Sequence, residues 1–168
     1  MELIDIVPEF NLYEEYWRIY TKSEILPPQY IASDSVVERC IIGEGSEIYG
    51  KVYNSVIGCG VTIGEGTVVR NSIIMNQCQI GNNCTIEKAI IDEYAVIGEG
   101  TELGTLEEKP NELKPNIYNQ GLVTIGEKSV IPRHVKIGKN SVVSGETTIE
   151  DYPEGILDSG KTLIKAGD

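Results

Sequence analysis

This chain of 168 residues is short of positive charge, histidine and long apolar runs, and each shortage removes a class of function. Fourteen basic residues stand against 26 acidic ones, a formal net charge of −12. A nucleic-acid surface needs clustered Lys and Arg to release counterions, so nucleic acid is not an expected partner. A small anion held by a local basic patch remains compatible with that charge. The one histidine is His134, and none of the four cysteines (Cys40, Cys59, Cys78, Cys84) forms a Cys-x-x-Cys pair. Zinc sites draw on such ligands at short spacings, so no metal is expected. No apolar run approaches the roughly 20 residues of a membrane span. The opening Met-Glu-Leu-Ile-Asp has neither a basic n-region nor a sustained apolar h-region. A cytoplasmic protein with reduced thiols is the expectation. An apolar content of 40% supplies a core for one domain, or for one domain with a docking arm.

What the chain has is glycine and a period. Large aliphatic residues recur about every six positions, which fits neither the period of 2 of a half-buried strand nor the 3.6 of a helix. Units open at Ile42, Ile57, Ile63, Ile74, Ile80, Ile91, Ile97, Ile125, Ile131, Ile137 and Val143, with Ile149 continuing the count. The second slot is usually glycine: Gly43, Gly58, Gly64, Gly81, Gly98, Gly126 and Gly138. The fourth slot takes turn formers (Gly45, Gly60, Gly66, Asn83, Gly100, Asn140). The fifth is always small or β-branched, from Ser46, Val61 and Thr67 to Ser141 and Thr147. Each unit therefore reads as a short strand and a bend, its aliphatic and small residues pointing inward, its Gly or Asn taking a positive φ. Three units close a triangular coil, and coils stack through parallel strands. "VERCII" (37–42), "VYNSVI" (52–57), "VRNSII" (69–74) and "IEKAII" (86–91) start 15, 17 and 17 residues apart, so each coil is slightly shorter than three hexads. The fold class expected is an all-β parallel β-helix over 31–168.

The register fails between Leu103 and Leu122, where "GTLEEKPNELKPNIYNQG" reads as a loop leaving one corner, at about 104–122. The tail after Ile149 drops the repeat and is expected to cap the last coil as an irregular strand. Residues 1–30 differ again. They hold Phe10, Tyr13, Tyr16, Trp17, Tyr20 and Tyr30, a weak capping box at Asn11 and Glu14 that predicts a short helix over 12–19, and the stiff "LPPQYI". This arm either folds over the first coil or serves as a docking surface for another domain.

"NLYEEYWRIYTKSEILPPQYI" leading into "VYNSVIGCGVTIGEGTVVRNSIIMNQCQIG" resembles the carboxy-terminal part of bacterial glucose-1-phosphate adenylyltransferases. The likeness covers essentially the whole chain. It implies a single-stranded left-handed β-helix of the hexapeptide-repeat type preceded by a linker arm; the period alone does not give handedness, and parallel crossovers are normally right-handed. It also implies a parent enzyme that makes ADP-glucose and pyrophosphate from ATP and glucose 1-phosphate for glycogen biosynthesis. That chemistry belongs to an amino-terminal nucleotidyltransferase domain, whose glycine-rich loop has no counterpart here; "GCG" and "GEG" fall in bend slots. The implied partners are that domain, met through Tyr13, Trp17 and Tyr20, further copies in a homo-oligomer (a tetramer for the parent), and a sugar-phosphate or nucleotide effector held by basic side chains. No cofactor is expected in this chain, and the chain alone is expected to be inactive. In the stretch aligned to the family's basic cluster, "GLVTIGEKSV", only Lys128 is present; Arg133, Lys136 and Lys139 complete the candidate effector set, against the plainer reading that all four are solvated surface charges.

His134 raises a second possibility. Hexapeptide-repeat acyltransferases use a histidine as general base, so a stand-alone acyltransferase is the alternative to a scaffold. But His134 falls in the fourth slot, where histidine is one of the few residues that tolerates positive φ. Cys78 and Cys84 share the inward fifth slot and read as packed small residues, not a dithiol. Asp92 and Glu93, being adjacent in a strand, point to opposite faces and make no acid–base pair.

Overall fold

A computed structural model describes residues 4, 9, 15, 16 and 25–165. Tyr13, Trp17 and Tyr20, and the helix expected over 12–19, lie outside the described residues.

Among these residues 20 strands of two or three residues form three parallel walls. The first wall stacks Tyr30–Ile31, Glu47–Ile48, Thr62–Ile63, Gln79–Ile80, Val96–Ile97 and Val130–Ile131. The second stacks Val36–Glu38, Lys51–Tyr53, Val68–Arg70, Thr85–Glu87, Glu102–Leu103, Lys136–Ile137 and Ile156–Leu157. The third stacks Ile41–Ile42, Val56–Ile57, Ile73–Ile74, Ala89–Ile91, Val123–Ile125, Val142–Ser144 and Thr162–Ile164. Consecutive strands change wall at each bend, which is the prism that the sixfold period calls for.

Register explains the core. Ile63, Ile80, Ile97 and Ile131 are direct partners up the first wall, and Ile57, Ile74, Ile91, Ile125 and Val143 up the third. All nine are at most 2% exposed. Ile42, in the first coil, is only partly buried; among the described residues its strand is the last of its wall and pairs on one side only. The inward column is therefore continuous, and each aliphatic residue packs on its own copy in the next coil.

The bends obey two rules. Fourth-slot residues have φ between 53° and 71° in ten of the eleven units, including Tyr94, Lys128 and His134 as well as the glycines and asparagines. Second-slot glycines have no positive φ. At Gly81 an added Cβ would lie 2.7 Å from the Glu99 backbone nitrogen and 2.9 Å from its Cα. Those glycines are needed for the approach of one coil to the next, so the expectation that every bend glycine serves a positive φ is corrected here. The five-residue steps at 69–74 and 86–91 are made at Asn71 and Lys88, whose φ values of 51° and 53° close the corner one residue early.

Fifth-slot hydroxyls do more than fit. Ser46 Oγ donates to Gly58 O at 2.8 Å and accepts from Val61 N at 3.2 Å; Thr67 Oγ1 donates to Gly81 O at 2.6 Å and accepts from Cys84 N at 3.0 Å. The corners leave these backbone groups outside the strand ladders, and a buried amide without a partner costs about 1–3 kcal/mol. The hydroxyl of one coil satisfies the corner of the next.

The C-terminal end departs from the count. Ile149, six residues after Val143 in the count, is 53% exposed, at the start of a 3-10 turn over Ile149–Asp151. Gly145, at φ 94°, takes the positive φ one position early, and Glu146 bridges Val130 in place of a first-wall strand. The interior position is taken by Tyr152, 2% exposed, whose hydroxyl lies 2.8 Å from Thr147 Oγ1. Burial pushes the Tyr152 phenol up to about 12. The tail then adds regular strands, Ile156–Leu157 and Thr162–Ile164, to the second and third walls.

Candidate functional site

The prism decides which basic side chains can meet. Lys128 stands at the corner between the third and first walls, and its backbone N–H donates to Glu93 O at 2.8 Å. Its Nζ is 2.8 Å from Glu127 Oε1 and 5.9 Å from the Tyr94 ring centroid, and the hydrogen bond to Glu127 raises its pKa. Arg133 lies at the corner between the first and second walls, where its backbone nitrogen underlies Gly98. Lys136 is outward on the second wall, one rung below Glu102, with Nζ 2.9 Å from Oε1. The hydrogen bond from Lys136 holds the Glu102 carboxyl below its ordinary value. Lys139 is half-buried at the corner between the second and third walls, its Cδ beside Gly121. The four thus surround one coil. Arg133 lies in the corner that leads into the strand of Lys136; Lys128 and Lys139 occupy the other two corners.

His134 sits directly after Arg133 at φ 56°, exposed, its backbone N–H donating to Glu99 O at 2.9 Å and its ring edge against Gly100. Among the described residues no carboxylate hydrogen-bonds its ring to set a tautomer, the usual orienting device of a general base. Asp92 and Glu93 serve the bend: Asp92 Oδ1 accepts from Glu93 N at 2.8 Å, and Glu93 Oε1 accepts from Asn76 Nδ2 at 2.9 Å. Cys78 and Cys84 are buried, with Sγ donating to Asp92 O at 2.9 Å and Gly98 O at 3.2 Å. Burial pushes the Cys78 thiol up to about 11 and raises that of Cys84. No cluster of three or more His, Cys, Asp or Glu suited to a metal ion occurs among the described residues.

The segment between Leu103 and Val123 has no strand, and two buried asparagines fasten it. Asn140 Oδ1 accepts from Gly121 N at 2.7 Å, and its Nδ2 donates to Lys109 O at 2.8 Å and Glu108 Oε1 at 3.2 Å. Asn111 Nδ2 donates to Asn140 O at 2.9 Å and Thr162 Oγ1 at 3.2 Å, while its Oδ1 accepts from Leu113 N and Lys114 N. Lys161 Nζ meets Glu112 Oε2 at 2.7 Å. Sequence reading took Asn140 as a bend former only. Nothing in the sequence signals its second role, because Asn140 stands in the third unit after the register resumes.

Residues 25–31 run along the first coil. Leu26 packs on Gly45, Pro27 O accepts from Gly45 N at 2.6 Å, and Tyr30 pairs with Glu47. Tyr30 and Tyr49 lie with ring centroids 5.8 Å apart, and Ile25 is fully exposed.

The sequence profile of GlmU-like C-terminal hexapeptide proteins matches residues 27–125. The chain belongs to this hexapeptide-repeat family. Its fold is accordingly the left-handed parallel β-helix. Over its full length the chain is 65% identical to the glucose-1-phosphate adenylyltransferase of Lachnospira eligens and 42% identical to that of Acetivibrio thermocellus. It spans 40% and 39% of those two relatives, matching their C-terminal part. Among solved structures, the acetyltransferase domain of PglB from Neisseria gonorrhoeae, in complex with acetyl coenzyme A, is 20% identical, with 82% of this chain and 55% of that chain covered and a TM-score of 0.47. No helix among the described residues is long and apolar enough to cross a membrane.

Proposed function

We propose that this chain is the C-terminal oligomerisation and regulatory region of a glucose-1-phosphate adenylyltransferase, working in the cytoplasm in glycogen biosynthesis. The whole enzyme converts ATP and glucose 1-phosphate to ADP-glucose and pyrophosphate. The observation that carries the reading is the 65% identity to such an enzyme over all 168 residues, of which the chain is 40%. The geometry supports a scaffold: the interior is filled by aliphatic side chains, and His134 occupies a bend. Nucleotidyl transfer then belongs to the upstream domain, with residues 1–30 linking the two and Tyr13, Trp17 and Tyr20 in contact with it. The parent is a homotetramer, and a sugar-phosphate or nucleotide effector binds between domains. Of the candidate set Lys128, Arg133, Lys136 and Lys139, adjacency of a corner and the strand that follows it favours Arg133 with Lys136 as the phosphate-facing pair, since one phosphate does not span three corners.

The test is a comparison of three preparations in an ADP-glucose synthesis assay: the full-length enzyme, this chain alone, and the full-length R133Q/K136Q double variant. Activity in the first and none in the second is expected. The double variant should keep activity without effector and lose its response to sugar phosphates. Synthesis by this chain alone, or none by the full-length protein, overturns the reading. An unaltered effector response removes the residue assignment only.

A further inference from the structure

The outward side chains of the three walls are not alike. On the first wall they are Tyr30, Glu47, Thr62, Gln79, Val96 and Val130. The second wall mixes charged side chains, among them Glu38, Lys51, Arg70, Glu87, Glu102 and Lys136, with aliphatic ones such as Val36 and Val68. On the third wall Ile41, Val56, Ile73 and Ile90 are paired in unbroken register, each partly exposed, with Met75 beside them at 38% exposure. At about 4.8 Å per rung they make an uncharged aliphatic strip about 14 Å long. Strand propensity does not require an uncharged row, because the other two walls place charged or amide side chains (Glu47, Gln79, Lys51, Arg70, Glu87) among their outward residues.

Both ends of the strip indicate what covers it. Below it, past the partly exposed Thr124, the chain covers this wall itself: the loop reaches Thr162 through Asn111, and Val142, the outward residue paired with Thr162, is 6% exposed. At its upper end residues 25–31 come in over Gly45, the corner between the third and first walls of the first coil. The described chain therefore enters the solenoid at the edge of the aliphatic strip. In the relatives about 60% of the polypeptide lies outside the matched C-terminal part.

We infer that the third wall, through Ile41, Val56, Ile73 and Ile90, is the seat of the upstream nucleotidyltransferase domain, which lays an apolar face on it in the full-length enzyme. This rests on the proposed function and adds to it a specific surface, on the flat wall and separate from the aromatic arm. A wall with no charge has no electrostatic register, so the arm and the loop set where the domain sits, and apolar burial holds it there.

The test uses the full-length enzyme with the photo-crosslinker benzoylphenylalanine placed singly at Ile73, at Ile90 and, as a control on the first wall, at Thr62. ADP-glucose synthesis is measured on each preparation before irradiation. Crosslinked peptides from the upstream domain at 73 and 90, with none at 62, are expected. A second variant, Ile73→Glu, should divide one calorimetric unfolding transition into two, while Ile73→Thr, which keeps the branched shape, should divide it less. Crosslinks from 73 or 90 to the β-helix of a second copy, or no crosslinks at either, overturn the inference. An unmodified full-length protein that makes no ADP-glucose overturns the functional reading instead, whatever the crosslinks show.

Discussion

Asn140 is expected to hold the 104–122 loop onto the prism, and replacing it with glycine isolates that role. Its backbone is in the left-handed region at φ 57°, so glycine keeps the bend without strain. Three side-chain hydrogen bonds are lost, but they are not equal. Gly121 is buried, and its N–H is left without a partner at a cost of about 1–3 kcal/mol; Lys109 O and Glu108 are exposed and turn to water, so they contribute about 1 kcal/mol or less together. A new glycine also gains freedom in the unfolded chain, worth about 0.4–1 kcal/mol. Asn83→Gly measures that last contribution separately, since Asn83 has φ 55° in the same slot and its exposed side chain makes none of these loop contacts. The difference between the two variants in urea unfolding is therefore expected at about 1–4 kcal/mol. Asn140→Ala should fall a further 1–2 kcal/mol or so below Asn140→Gly, because alanine pays for left-handed φ. Cleavage after Lys114 by a lysine-specific protease should accelerate in both Asn140 variants and not in Asn83→Gly. Equal stabilities for Asn140→Gly and Asn83→Gly, with unchanged cleavage, would refute the latch.

Ile97→Ala should cost about 2–5 kcal/mol in the same assay, whereas Ile149→Ala, at an exposed position, should cost less than about 1 kcal/mol. In the native protein at pH 8, Cys78 and Cys84 should stay unmodified by iodoacetamide and react only after unfolding, as peptide mass mapping would show, because burial raises both thiols. For Glu102, Lys136 holds the folded-state pKa down, so the stability from this pair is present above the unfolded carboxyl's value and is lost as pH falls through the lowered one. With side chains 32% and 47% exposed, that contribution is below about 1 kcal/mol, and the stability gap between wild type and Glu102→Gln should close in acid; a gap that persists there contradicts the assignment. His134→Asn should leave the melting temperature within a few degrees of wild type, and titration with coenzyme A should give no heat; measurable binding would restore the acyltransferase alternative.

The interior was legible because a single constraint acts on it many times over. Each inward residue touches its own copy above and below, so the same size and shape are demanded at every sixth place, and the period is visible without any knowledge of the walls. The positions of the second-slot glycines were equally plain, but their cause was not. A glycine needed for positive φ and one needed for close approach look the same in a sequence; only the 2.7 Å between an added Cβ at Gly81 and the next coil separates them. Ile149 shows the limit of counting. The count presumes another regular unit, whereas Tyr152 takes the interior place and that isoleucine faces outward.

Outward residues obey no neighbour within the chain, and there a single sequence says least. The doubled aliphatics in "CII", "SVI", "SII" and "AII" were visible as copies of one element, yet one residue of each pair faces the core and the other faces away. A fully packed interior has no use for the second. Lys128, Arg133, Lys136 and Lys139 illustrate the converse: their closeness along the chain suggested one patch, and a prism that turns a corner every six residues distributes them around its perimeter. In a solenoid, nearness on the surface follows the coil repeat of 17 residues and not the sequence neighbour, so Ile73 and Ile90 form a surface together while Lys128 and Lys139 do not.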